Sequence, residues 1–452
     1  MKRGEIWALM ALALLLGVSV AKDSSAADWA IVPSVTARTE FDTNLNYSFI
    51  APKSDYIFSL SPAAAFNYTT DIAQLQGKLG LTGRHYLSNG QIDHIDQDFE
   101  INGWYQVTPR WKLSLNTAYI SDTSLYEELI TSGLVMTRSP RDSILAAPAV
   151  TYAVTERLSA TFNYSFNNVN YPSQLYQNYT SQQTGLLLQQ QLKNEKTTLI
   201  GNFLANQTDY PSLDNHYKYL GFYLGADHKF SPDWEITLMG GVNLTFMDFH
   251  SQVPLTQFPF VIFPQLISPQ PVIVHQTSAQ PYVNLYATKR WTNFTVTGGY
   301  SRTQSPSAYG TISDTNQFFL ALAHDFTERW SGSLSGYYTL SNQISQTSPY
   351  RSSFLSLSPQ LSYRLTENLT LSPGYQFGQN DAITSNRIAT GQTVWLMLTY
   401  VQPSIQGGVQ PPTPVGTMPA PVTTLPGGAP VTTLPGGVVP IPPRPNIFGI
   451  TY

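Results

Sequence analysis

The chain has 452 residues and a formal net charge of -4, with only 12% of its residues charged and 13% aromatic. A soluble domain covers its surface with about 25% charged residues, so much of this surface does not face water. Beyond the first 20 residues no apolar run approaches the ~20 residues of a bilayer-crossing helix. Sparse, unclustered Lys and Arg exclude nucleic acid as a partner, and the absence of cysteine excludes disulfides, thiolate metal sites and a lipoprotein anchor.

In chain order, Lys2 and Arg3 precede an apolar stretch from Ile6 to Val20, and Ser25-Ala26-Ala27 follows. This is the arrangement of a cleaved secretory signal, expected over residues 1–27 with the mature chain starting at Asp28. From Val32 onward the pattern alternates with period 2, the spacing at which successive side chains take opposite faces of a strand. Tyr56, Phe58, Leu60, Pro62, Ala64, Phe66 and Tyr68 fall on one face, with aromatics at both ends and smaller groups between. That is the order expected where a strand crosses two membrane interfaces. Trp111, Leu113, Leu115, Thr117 and Tyr119 repeat it, as do Trp234, Ile236, Leu238, Val242, Leu244 and Phe246.

A soluble sandwich also alternates, so the turns decide the class. Short polar connections recur as Thr108-Pro109-Arg110-Trp111, Thr155-Glu156-Arg157-Leu158, Ser231-Pro232-Asp233-Trp234, Thr327-Glu328-Arg329-Trp330 and Thr366-Glu367-Asn368-Leu369, with further turns expected near 69, 194 and 288. Longer connections lie between them, over residues 88–96, 123–139 and 248–277. Short turns at one end and long loops at the other are the sidedness of an outer-membrane barrel. Eight short turns predict an all-β, transmembrane, antiparallel up-and-down β-barrel of about 18 strands over residues 28–400. The Leu186-Leu187-Leu188 run leaves one register ambiguous and 16 strands as the alternative.

Residues 401–452 hold 13 of the 32 prolines and a nine-residue unit in tandem, Ala420 to Gly428 and Ala429 to Gly437. Such a composition predicts an extended, disordered, periplasmic tail, either a plain spacer or a tether for a periplasmic partner.

Val32-Pro33, Thr39-Glu40-Phe41-Asp42-Thr43-Asn44, Ser54-Asp55 and Leu60-Ser61-Pro62 carry a resemblance to the outer-membrane β-barrel porin family associated with exopolysaccharide and exosortase systems of Gram-negative bacteria. The resemblance implies an outer-membrane channel, with polysaccharide passage as an association. The closing strand, with Val394, Leu396, Leu398 and Tyr400 outward, resembles the terminal strand that the bacterial barrel assembly machinery recognises.

Barrels of 16 to 18 strands leave a water-filled lumen, so passive passage of small polar solutes through the outer membrane is the expected function, with lumen residues setting selectivity. The alternation assigns to the lumen Arg38, Glu40, Lys78, Arg84, Asp98, Glu100, Trp104, Lys112, Asp122, Tyr219, Tyr223, Asp227, Glu235, Tyr282, Tyr286, Arg364 and Trp395. Both signs are mixed, and the Tyr and Trp suit either stacking on sugar rings or filling space near the rims. Residues 248–277 have no Asp, Glu, Lys or Arg after Asp248, and Phe258, Phe260, Phe263 and Leu266 are candidates for a constriction loop folded into the lumen, the alternative being a cap on neighbouring loops. The cluster Asp93-His94-Ile95-Asp96-Gln97-Asp98 at the first long connection is expected to be a solvated acidic loop rather than a divalent-cation site. No catalytic residue, cofactor site or metal site is expected. The partners expected are outer-membrane lipid and the assembly machinery; the alternative function is a structural sleeve or docking partner for a periplasmic, electron-transfer or polysaccharide-export complex.

Overall fold

The computed structural model describes residues 28–123, 125, 128–129, 138–173, 175–252, 271–344 and 350–407. The expected signal segment and most of the expected tail lie outside these residues. The described chain is a meander of strands: β1 Asp28–Asp42, β2 Asp55–Thr69, β3 Ala73–Tyr86, β4 His94–Thr108, β5 Trp111–Asp122 and β6 Arg141–Ala153. Next come β7 Leu158–Asn170, β8 Tyr179–Gln191, β9 Thr197–Tyr210, β10 Asn215–Ser231, β11 Trp234–Gln252 and β12 Pro271–Arg290. The last are β13 Phe294–Pro306, β14 Ile312–Asp325, β15 Trp330–Ile344, β16 Arg351–Arg364, β17 Leu369–Ala382 and β18 Arg387–Val401. Each strand pairs antiparallel with its neighbours in sequence, and β1 pairs with both β2 and β18. The sheet therefore closes into an 18-strand antiparallel barrel, which removes the 16-strand alternative. A short β19, Ile405–Gly407, continues along β1 opposite Trp29 to Ile31, so the barrel sheet runs past the boundary expected at residue 400.

The outward face is the apolar one. Phe58, Leu60, Leu79, Leu81, Phe222, Leu224, Leu238, Leu396 and Leu398 are all exposed, Leu224 at 72%, while their inward neighbours Thr36, Ser61 and Thr208 are buried. Rings pair outward near the short turns, as Trp111 with Tyr152 and Trp330 with Tyr363, and again towards the other end, as Phe41 with Tyr56 and Tyr300 with Phe318. On β5 the step from Trp111 to Tyr119 is about 27 Å along the strand, and a ~40° tilt brings it near the height of a lipid-facing band. A surface of this kind is stable in hydrocarbon and costly in water.

The repeated Thr of the short turns has a local task. Thr327 Oγ1 accepts from the backbone N–H of Arg329 at 3.2 Å and of Trp330 at 3.0 Å, and Thr108 and Thr155 do the same. The hydroxyl stands in for a backbone acceptor that so tight a turn cannot supply.

The strands also tolerate proline in a particular way. Pro62, Pro148 and Pro359 all face outward, and beside each the ladder to the following strand skips, from Leu60↔Gly83 to Ala63↔Gly80, from Ala146↔Phe166 to Ala149↔Asn163 and from Leu357↔Phe377 to Gln360↔Gly374. The missing N–H breaks the ladder on one side only.

Three sequence expectations change. In β8, Leu186 and Leu188 face outward and Leu187 faces inward opposite Thr161, which settles the ambiguous register. The connection of residues 88–96 gives way to strand from His94, because His94, Asp96 and Asp98 continue the inward alternation of β4. The connection expected over 248–277 is shorter, since β11 extends to Gln252 and β12 begins at Pro271, paired residue for residue. Phe258, Phe260, Phe263 and Leu266 lie outside the described residues. Nor is every connection at that end long: residues 211–214, 307–311 and 383–386 make turns as tight as those opposite.

Candidate functional site

Strand register places all seventeen residues assigned to the lumen on the inward face, opposite the exposed apolar stripe. The two sides of the bore differ. Along β1 to β6 the inward face carries ion pairs: Arg38 with Glu40, Lys78 with Asp98 at 2.6 Å, Arg84 with Asp96 at 2.8 Å and Arg141 with Asp122 at 2.8 Å. Arg38 and Glu40 pair within β1 and the other three pairs join neighbouring strands, so each charge is compensated where water is scarce. Along β7 to β17 the alternation turns Asp227, Lys229, Glu235, Arg290, Asp325 and Arg364 inward, each within five positions of a short turn, and the β13–β14 hairpin adds one ion pair, Arg302 with Asp314 at 2.7 Å, set against Gln280 of β12. Much of the rest of that wall is Ser, Thr, Asn, Gln and Tyr, as in Thr161, Asn163, Ser165, Asn206, Asn243 and Ser356, with apolar Val169, Leu187, Ile200, Leu204, Met247 and Phe354 among them.

The inward rings do not present free faces. The Arg38 guanidinium lies over Trp395 at 4.5 Å and the Lys112 ammonium over Trp104 at 4.4 Å, while Tyr223 and Tyr282 stack on each other at 3.9 Å. Tyr223 and Tyr286 are each only 4% exposed. These rings form the wall of the bore, and hydrogen-bonding groups outnumber open aromatic surfaces.

Towards the long-loop end a second layer lies inside the barrel. A buried cluster joins Val169, Tyr179, Tyr210, Tyr217 and Met247 from the inward faces of β7 to β11 with Tyr337 and Phe354 from β15 and β16, with Ala308 from the β13–β14 turn and with Ile312 at the start of β14. Leu125 and Leu129, from the connection after β5, complete it, and Tyr47 meets Phe354 edge-on at 5.5 Å. These strands stand on different sides of a closed barrel, so the cluster crosses the bore.

The β13–β14 turn is the centre of this layer. Tyr210 Oη donates towards the carbonyls of Ser307 and Thr311, both at 3.0 Å, and accepts from the Ser307 N–H at 3.1 Å. Tyr217 Oη donates to the Gly310 carbonyl at 3.0 Å, and the Gln177 N–H donates to the Ala308 carbonyl at 2.7 Å. Gly310 has φ +78°, a conformation that favours glycine, and a Cβ there would displace the end of the Leu213 side chain, whose Cδ1 lies 2.2 Å from its position. The outer face of the hairpin is covered by the inner face of its neighbours: Thr245 of β11 donates to Gln304 at 2.8 Å, and Arg302 donates to Gln280 of β12 at 3.3 Å. The hairpin therefore runs inside the wall instead of continuing it.

The connection between β5 and β6 adds a second inward contact. Glu128 accepts from Tyr171 Oη at 2.6 Å and from Arg141 at 3.2 Å; burial and the adjacent carboxylate push the Tyr171 phenol well up from its ordinary pKa. Arg138 donates to Tyr86 Oη and to the Leu45 carbonyl, both at 3.1 Å. At the outer rim Asp93 accepts from the Tyr86 N–H at 2.8 Å and pairs with His85 at 2.7 Å, and these two partners hold its carboxyl below the usual carboxylate range. Among the described residues no cluster of His, Asp and Glu is arranged to hold a metal ion.

Sequence reasoning found the paired residues Arg38, Glu40, Lys78, Arg84, Asp98 and Asp122 but missed their partners Asp96 and Arg141. Extending the β4 alternation two residues upstream reaches Asp96, and starting β6 at Arg141 reaches the other. Glu128, Tyr210, Tyr217 and the 307–311 turn carried no such signal, because their contacts are made across the bore.

No protein-family model matches the chain, and no curated protein matches it. Similar solved structures include OccAB3 of Acinetobacter baumannii, at 11% identity over 83% of this chain and 99% of that one with a TM-score of 0.41. OccK2 of Pseudomonas aeruginosa in complex with glucuronate is similar at 10% identity over 82% and 97%, with a TM-score of 0.42. The ferric-catecholate import receptor Fiu of E. coli K12 follows at 9% identity over 84% and 82%, also with a TM-score of 0.42. Likeness this slight transfers no function and no residue role.

Proposed function

We propose that this chain is an outer-membrane channel, exported by a cleaved signal, that passes small polar solutes through a bore narrowed at its outer mouth, without catalysis. The observation that supports this reading is a closed barrel with an apolar exterior and a polar, ion-paired interior, crossed near the long-loop end by the β13–β14 turn. By the sidedness of such barrels the long-loop end is extracellular and both strand termini are periplasmic, so the tail after Gly407 hangs in the periplasm, where a partner could meet it. Paired charges on one side and neutral hydrogen-bonding groups on the other favour small hydroxylated or weakly charged solutes over a strongly selected ion.

The exopolysaccharide association implied by the family resemblance is a narrower proposal. Its rings being covered, the bore favours hydrogen bonding over stacking as the way such a sugar would be held. Single-channel recording in planar bilayers tests the channel reading: small, stable current steps with weak ion preference are expected. Replacing residues 306–311 by two glycines should enlarge those steps severalfold. A barrel that inserts yet passes no current in either form would refute the channel. Current steps unchanged by oligosaccharides would refute the polysaccharide proposal alone.

A further inference from the structure

The ladder between β12 and β13 ends early. It runs from Arg290↔Thr295 to Val283↔Arg302 and stops, although β12 continues to Pro271, still paired with β11, and β13 continues to Pro306, still paired with β14. Residues 271–282 of β12 thus have a strand on one side only among the described residues. Every second residue of such an edge points its C=O, and except at Pro271 and Pro281 its N–H, away from β11. Residues 303–306 of β13, which in continued register would cover residues 279–282, lie inside the bore instead.

We propose that the β13–β14 hairpin is a gate with two seats, the inward one of this structure and an outward one in which β13 resumes its ladder on β12; the proposal rests on the channel reading above. Three observations converge on it. The register across the break needs no adjustment, since continuing from Val283↔Arg302 sets Gln280 opposite Ser305, both on the inward face. The inward seat is held at the tip by the Tyr210 and Tyr217 phenols and the Gln177 N–H, all bound to backbone carbonyls that strand or solvent partners could equally satisfy. The side chains joining the hairpin to its neighbours, Arg302 to Gln280 and Gln304 to Thr245, already span the break. In the outward seat Ala308 and Ile312 leave the buried cluster, and the obstruction across the bore goes with them. β14 stays paired with β15 in either seat, so the hinge is the point where β13 parts from β12.

The native chain has no cysteine, so paired substitutions report each seat cleanly. Gln280→Cys with Ser305→Cys should cross-link under mild oxidation and hold the channel in a state of severalfold higher conductance, reversed by dithiothreitol. Gln177→Cys with Ala308→Cys should hold the low-conductance state. Tyr210→Phe with Tyr217→Phe, which keeps the rings and removes the phenol hydrogen bonds, should raise the fraction of time spent in the larger step without any cross-link. The gate is overturned if the Gln280→Cys/Ser305→Cys pair stays reduced, or cross-links with no change in current, while wild-type channels conduct. Folded barrels that carry no current in any cross-linked form would overturn the channel reading itself, and the gate with it.

Discussion

Thr327 closes its turn by accepting from Arg329 and Trp330, its near neighbours in sequence, whereas at the opposite end Tyr210 holds Ser307, 97 residues away. The short-turn end is assembled from local rules repeated around the barrel. The long-loop end is assembled once, from contacts between strands on different sides of the bore. Local closure gives a rim of uniform construction with little to vary. Long-range closure gives a mouth whose shape depends on a few buried partners, and that is where function can be adjusted without disturbing the belt.

The sharpest way to break this contrast is at Arg141. Arg141→Ala strands Asp122 and Glu128 without their cation, and breaking a buried pair from one side costs about 3–5 kcal/mol; urea unfolding followed by gel mobility should show the loss, together with altered current. An unchanged midpoint would mean that the charged wall is solvated rather than structural. Next in size, Leu224→Arg places a charge at the centre of the apolar belt, where about 2–4 kcal/mol is expected, while Asn202→Arg on the facing strand β9, inward, should alter ion preference and leave stability nearly as it was. Equal stability losses from the two would contradict the assigned faces.

A smaller effect is expected at the short-turn end. Thr327→Ala removes one acceptor serving two N–H groups in water, so about 0.5–1.5 kcal/mol is expected in unfolding, with no change in conductance. The smallest concerns pH at the outer rim. The folded-state pKa of Asp93 is below its ordinary value of 3.8, so its contribution is complete above that value and is lost as pH falls through the lower folded one. Protection of the Tyr86 amide, corrected for intrinsic exchange, should fall as pH drops through the lowered Asp93 pKa, and Asp93→Asn should abolish that dependence; protection that stays flat across that range would separate Asp93 from the amide it is bound to.

Much of the fold was readable because a barrel strand obeys one rule, alternation, and its turns another. Trp395 could be placed inward from Val394 and Leu396 alone. The alternation failed only where it was not extended far enough, at Asp96 and Arg141. The mouth was not readable for a different reason. Ser307, Ala308 and Gly310 look like any polar turn, and the residues that receive them lie on β9 and β10 and in the connection before β8. A constriction was expected from Phe258, Phe260, Phe263 and Leu266, which lie outside the described residues; within the described residues the bore is crossed by the 307–311 turn.

The sequence by itself determined the class of surface and narrowed the number of strands to 18 or 16. Period-2 alternation with aromatic ends fixes which side chains meet lipid, and a recurring short polar turn, closed by a hydroxyl at Thr108, Thr155, Thr327 and Thr366 and by a carboxamide at Asn194, marks one end of the barrel. Only the tertiary structure decided which strands keep their neighbours to the rim. The break between β12 and β13, and the inward path of the hairpin that follows, depend on Tyr210, Tyr217 and Leu213 standing opposite a glycine with positive φ. No local pattern records that meeting, because it exists only once the sheet has closed on itself.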